Sequence, residues 1–200
     1  TEEEPKRHQV ILPGPATDVS VGIAIGHEKD PLQRIVQAAQ TCEKKAKSEL
    51  GRSAIFTQVV KRSGEIIEWG CKWDSKGLEL LEVLLKEMLE GNLAARFPYK
   101  VIELLDPYLP AEGTNSEKDS EFDKTAFEIV DREIIESILA HWAGSKDSCS
   151  IMVQGVSDKL SNYWNTMKET GNSGEEMISN ITSLARTLAW LSKKTSGGKA

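Results

Sequence analysis

Six basic side chains, Lys44, Lys45, Lys47, Arg52, Lys61 and Arg62, crowd one stretch of a chain whose formal net charge is −6. In an acidic protein such bunching makes a local positive field, and phosphate is the anion that ammonium and guanidinium groups hold best. Just upstream, Ser20, Gly22, Ala24 and Gly26 alternate with Val19, Val21, Ile23 and Ile25. A period of two with β-branched residues on one face predicts a strand. Its small-residue face lets something approach the backbone closely, either a ligand or a packed helix.

Other chemistry is sparse. There is no nucleophile motif, phosphate-binding Walker loop, zinc motif or glycine-rich dinucleotide loop. Asp18 stands alone before the strand, whereas a two-metal site needs several converging carboxylates. Cys42, Cys71 and Cys149 are odd in number and widely spaced, so reduced, buried thiols are expected rather than a disulfide or zinc framework.

The elements that would position the basic cluster follow from periodicity. Asp30-Pro31 predicts a helix start, with the carboxylate as cap and proline at the first helical position. Leu32, Ile35, Val36, Ala39, Cys42, Glu43 and Ala46 keep helical spacing, so this helix should lie on a sheet by its Leu/Ile/Val side. Gly51 closes it. Ser53 to Lys61 predicts a second strand, Ser63-Gly64 a turn, and Ile66 to Trp73 a third strand. Strand, helix, strand, strand is half of a split α/β sandwich of the ferredoxin-like kind, and so few strands would leave an edge unpaired and a face uncovered.

Before this unit, residues 1–18 read as a loop or the end of an insertion, with His8 to Leu12 a possible edge strand and Pro13-Gly14-Pro15 breaking it. After Asp74 the pattern is helical. Leu78, Leu81, Leu84, Leu85, Met88 and Leu89 mark one helix, Ala94 to Leu105 a second, and Phe127 to Trp142 a third. Ile151 to Met167 and Met177 to Leu191 mark two more, with a mobile loop expected near 110–120. The expected division is therefore 1–18, a palm-like 19–75, and a helical domain over 76–200.

At 39% hydrophobic and 28% charged residues, the chain has an ordinary globular composition. No apolar run is long enough for a bilayer and the first residues are charged, so a cytoplasmic location is expected. Up to Asp74 the basic and acidic residues number 11 each, and the acidic excess, 20 against 14, falls in the helical part. Acidic helices suit protein contacts better than a phosphate backbone.

Taken together, SVGIAIGHEKDPL, AAQTCEKKAKSELGRSAI and VVKRSGEIIEWG resemble the later half of the palm in the large polymerase/cyclase subunit of type III CRISPR effector complexes, most nearly its Cmr-type form. That palm is related to diguanylate cyclase domains. Their SIGVA strand and AKxxGRN helix end have counterparts in Ser20-Val21-Gly22-Ile23-Ala24 and in Ala46-Lys47 through Gly51-Arg52-Ser53, with one extra residue between the pairs and Ser53 where Asn is usual. The closing SLARTLAWLSKK resembles the end of that subunit's helical domain.

The resemblance implies an α+β chain: a partial ferredoxin-like palm of cyclase/polymerase type followed by a helical bundle. It implies ATP as substrate for cyclic oligoadenylate synthesis, with Lys47 and Arg52 neutralising phosphates, Ser20 and Gly22 lining the nucleotide, and Lys61 as a further cation. The Gly-Gly-Asp-Asp hairpin that holds Mg or Mn in the family is missing from this sequence, so the chain alone should not be catalytic. Implied partners are the metal-binding half of the palm, small helical effector subunits, and, indirectly, guide and target RNA. Two other readings stay open: a structural subunit with a degenerate palm, and a cyclase-like regulatory domain unrelated to CRISPR.

Overall fold

The computed structural model describes residues 18–109, 120–139 and 146–196. The possible strand His8 to Leu12, the loop 110–119, His141 and Trp142 lie outside them. The fold is α+β, with a three-stranded mixed sheet, one helix between its first two strands and the other described helices after it. β1 (Val21–Ile25) leads through α1 (Leu32–Ser48) to β2 (Ala54–Val60), and β3 (Ile66–Lys72) follows. α2 (Gly77–Leu89) and α3 (Phe97–Leu105) come next, then a 3-10 turn over Asp106–Tyr108. α4 (Ser120–Leu139), α5 (Lys146–Glu169) and α6 (Gly174–Ser196) complete the described chain.

The sheet order is β1-β2-β3, with β1 parallel to β2 and β3 antiparallel to β2. A parallel pair requires a crossover, which α1 supplies, whereas the antiparallel pair is closed by the short Ser63-Gly64 turn. Register places Gly22, Phe56 and Gly70 in one row, and the alternation of side chains then assigns every strand residue a face. One face carries Gly22, Ala54 and Phe56 and receives α1 through Cys42 and Ala46. The other carries Trp69 and Cys71, which enter the main core beside Leu80, Leu160, Ile181 and Leu188. The sheet and the helices expected as separate domains thus share one core through β3.

Several local expectations shift for physical reasons. Pro31 sits at the N-cap of α1, one position earlier than expected, and makes no side-chain cap. The Asp30 carboxylate turns back and accepts from the His27 backbone N–H at 3.0 Å, so it closes the preceding turn instead. On α2 the buried line runs through Gly77, Leu80 and Leu84 rather than Leu78, Leu81 and Leu85. Consecutive leucines let the helix choose either line, and the sheet selects the one that brings Gly77 against Tyr163 and Cys71. α5 and α6 are longer than their apolar stripes, because their polar turns continue the backbone hydrogen-bond ladder beyond the buried contacts.

Asn180 ties the sheet to α6 and α5. Its amide oxygen accepts from the Trp69 indole N–H at 3.2 Å and from the Tyr163 hydroxyl at 2.6 Å, while its amide nitrogen donates to the Gly70 carbonyl at 3.1 Å. Each partner is a polar group drawn into an apolar core, where lacking a hydrogen bond is costly. Burial holds the Tyr163 phenol far above its ordinary pKa, so it acts as a neutral donor.

Candidate functional site

Because β1 and β2 are parallel and α1 runs back between them, the start of both strands meets the end of α1. This end of the sheet collects Asp18, Ser20, Lys47, Arg52 and Ser53. Ser53 donates its hydroxyl to the Asp18 carboxylate at 3.2 Å, and the Trp73 indole N–H donates to the Val19 carbonyl at 2.6 Å. These two bonds pin the entry of β1 to the start of β2 and the end of β3.

The turn from α1 into β2 is unusual. Gly51, Arg52 and Ser53 take successive positive φ values of 70°, 70° and 48°. Glycine enters that region freely, but side chains such as those of Arg52 and Ser53 pay a steric penalty of about 1 kcal/mol each. The Arg52 backbone N–H reaches the Ala46 carbonyl at 3.1 Å and closes the end of the helix. Arg52 itself is exposed and forms no ion pair with a described carboxylate.

Lys47 lies on the same end but is paired with Glu43 one helical turn earlier. Both are largely exposed, so the pair is weak and can yield to a stronger anion. Lys45 behaves differently. It reaches Glu68 on β3 at 2.6 Å and stands 5.2 Å from the Phe56 ring centroid. Burial works to lower its pKa, but the hydrogen bond and charge of Glu68 outweigh it and raise the value. Lys45 is therefore a packing cation.

The expected site residues divide into three groups. Ser20, Lys47 and Arg52 share one end of the sheet. Gly22 does not line an open face: a Cβ there would lie 2.2 Å from the Glu43 backbone nitrogen and 2.4 Å from the Ala39 carbonyl. Of the ligand and helix alternatives for the small-residue face, α1 occupies this position. Lys61 lies just past the far end of β2, about 23 Å from its first residue Ala54 at a strand rise of about 3.3 Å per residue. There it pairs with Glu65 across the hairpin at 2.8 Å.

The first turns of α1, at the other end of the helix from this site, are apolar and uncovered. At about 100° per residue, Leu32 and Val36 lie roughly 140–180° around the helix from Lys45, on the side of β1 rather than β3. They are 77% and 46% exposed, against the expectation that the whole Leu/Ile/Val side would be buried. Val19 just before β1 and Ile23 on it are also exposed, at 60% and 37%, and β1 pairs only with β2 among the described residues. An open strand edge and an apolar flank therefore run away from Lys47 along β1 and α1, with Leu32 and Val36 near the start of the helix, about 16–22 Å from Lys47 at 1.5 Å per residue.

On the opposite edge, along β3, two adjoining recesses of about 580 and 510 Å³ lie between the sheet and the start of α6. Glu49, Glu68 and Glu176 make them acidic, which suits no phosphate. Among the described residues no three His, Cys, Asp or Glu side chains converge as a metal site. Cys42 and Cys71 are free and buried, and burial raises each thiol to about 11, so neither is a nucleophile near neutrality. No described helix is long and apolar enough to cross a membrane.

Sequence reasoning placed Glu43 on the helix stripe but missed its pairing with Lys47, and it missed the Asp18–Ser53 bond. The first was readable from its four-residue spacing to Lys47. The second joins residues 35 positions apart and has no local signal. No protein-family model matches the chain, and no curated protein is similar to it.

Proposed function

We propose that this chain supplies the nucleotide side of a palm, as part of the large subunit of a type III CRISPR effector that makes cyclic oligoadenylates from ATP. It is not catalytic alone. The observation that carries the reading is that Lys47 and Arg52 are exposed at one end of the sheet, while the flank that leads away from them, with Leu32, Val36 and a β1 edge that pairs only with β2 among the described residues, is uncovered. A site that is half built beside a surface that is half covered suits a chain whose other half comes from elsewhere.

In this reading Arg52 and Lys47 meet the triphosphate, with Lys47 exchanging Glu43 for phosphate. Fixed cations stabilise charge developing on transferred phosphoryl oxygens, and removing one such group typically lowers turnover by about 10²–10³-fold. Ser20 lies close enough in sequence and register to line the nucleotide, whereas Gly22 seats α1 and Lys61 is too distant to share the site. Divalent metal would be held by carboxylates of the partner half, since the described residues of this chain offer no such group.

The test is Lys47→Glu with Arg52→Glu in a complex that supplies the metal-binding half. Oligoadenylate synthesis should fall by at least about 10²-fold while the complex still assembles. Undiminished synthesis would reject the nucleotide role. A purely structural palm is favoured by one observation, the filling of the small-residue face by α1 at Gly22, and it predicts that undiminished result.

A further inference from the structure

At the end of the sheet far from Arg52, the β2–β3 hairpin, α3 and the last turns of α6 enclose a recess of about 290 Å³. Its walls include Lys61, Tyr99, Ile102, Arg186, Trp190 and Lys193. Arg186, Trp190 and Lys193 follow a spacing of four and three, which puts all three on one face of α6. Tyr99 comes from α3 and is 45% exposed, with the Lys193 ammonium 5.1 Å from its ring centroid.

The charge of the recess is opposite to that of the protein. Lys61 is matched by Glu65, but neither Arg186 nor Lys193 forms an ion pair with a described carboxylate. Lys193 in the final turn of α6 is explained in part by the helix dipole. That account does not reach Arg186, nearly three turns from the helix end, nor does it explain two aromatic rings between the cations. Aromatic faces interleaved with unmatched basic groups are the recognition chemistry of an unstacked base with its phosphate. The recess is at the small end for ligand cavities, which suits one base rather than a large cofactor.

We propose that this recess binds a nucleobase and its adjoining phosphate, the repeating unit of single-stranded RNA. Tyr99 and Trp190 offer stacking surface, and Arg186 and Lys193 hold the phosphate, with Lys61 at the rim. The site is separate from the one that carries the proposed nucleotide role and does not depend on it.

The test measures anisotropy of a labelled single-stranded RNA about ten nucleotides long at about 50 mM salt. Arg186→Glu with Lys193→Glu should weaken binding about tenfold or more and lower the salt slope by about 0.7 per lost phosphate contact. Tyr99→Ala should weaken it about fivefold, and Arg186→Lys with Lys193→Arg should retain it. Lys86→Glu with Lys168→Glu, at exposed positions outside both sites, changes the net charge equally and should leave affinity within about twofold, which separates local recognition from overall charge. AMP competing as well as the strand would make a free nucleotide the source of the same ligand, and strand preference would make it RNA. Failure of both RNA and AMP to bind, equal loss in the two double variants, or competition by inorganic phosphate as strong as by AMP would each overturn the proposal.

Discussion

The face of the sheet that meets α1 and the face that meets the bundle are covered very differently. On the bundle side, Trp69 and Cys71 join a continuous apolar cluster that includes residues from α2, α3, α4, α5 and α6. On the α1 side the buried cluster is Cys42, Ala46, Ala54 and Phe56, with Leu50 against it. α1 is a 17-residue helix, yet only Cys42 and Ala46 along it are fully buried. Hydrophobic burial is the main favourable term in folding, so the bundle rests on a large apolar core while α1 and β1 rest on a small one. The difference bears on the proposed role: the less covered flank leads away from the end that carries Lys47, and on that proposal a partner covering it would stabilise the flank and complete the site together.

The comparison can be broken most forcefully in the bundle. Leu188 is fully buried, and Leu188→Ala should cost about 2–5 kcal/mol in denaturant unfolding, whereas Leu32→Ala on exposed α1 should stay within about 0.5 kcal/mol. Equal effects would show that α1 is covered in the isolated chain. Next in size, Gly22→Ala forces a Cβ into the α1 backbone and should cost about 1–3 kcal/mol or release the helix. Hydrogen exchange should then accelerate across α1 and β1 while α6 keeps its protection.

Asn180→Ala acts on the junction between the two regions. It strands the Trp69 indole, the Gly70 carbonyl and the Tyr163 hydroxyl, for a loss of about 1–3 kcal/mol measured by urea unfolding. A smaller effect of opposite sign is expected at the strained turn: Arg52→Gly should stabilise by about 0.5–1 kcal/mol, because glycine relieves the positive φ at little steric cost. The same variant should weaken nucleotide binding in the assembled complex, setting stability against function at one residue.

The smallest effect concerns pH. Hydrogen bonds from Lys159 and Lys76 hold the Glu79 carboxyl at about 2, below its ordinary 4.5. Its contribution is complete above about pH 4.5 and is lost as pH falls toward 2, since only the ionised form is favoured in the fold. Glu79→Gln should remove that share of the acid sensitivity and leave stability near neutrality almost unchanged, because the pair is exposed and screened. Thermal melts at about pH 5, 3.5 and 2 would read it.

Much of the architecture was legible because it is written locally. The alternation from Val19 to Ile25, the Ser63-Gly64 turn and the helical stripe from Met177 to Leu191 each announce their element by period alone. The site was legible only in part. Arg52 and Lys47 were found from their clustering, but linear clustering also drew in Lys61, which a seven-residue strand carries to the other end of the sheet. The small face of β1 reads identically whether a helix or a ligand fills it, so Gly22 needed tertiary packing to decide. The basic recess joins Tyr99 to residues nearly a hundred positions later, a pairing that no local period encodes.

The central claim is that α1 and β1 await a partner that covers Leu32, Val36 and the open edge of β1. Hydrogen exchange of the chain alone, and of the chain mixed with the metal-binding half of the palm, tests it most directly. The account predicts fast exchange at Val21–Ile25 and along α1 in isolation, slow exchange along α6, and a selective gain of protection at β1 on mixing. Protection of β1 and α1 equal to that of α6 in the isolated chain, or no gain on mixing, would contradict it.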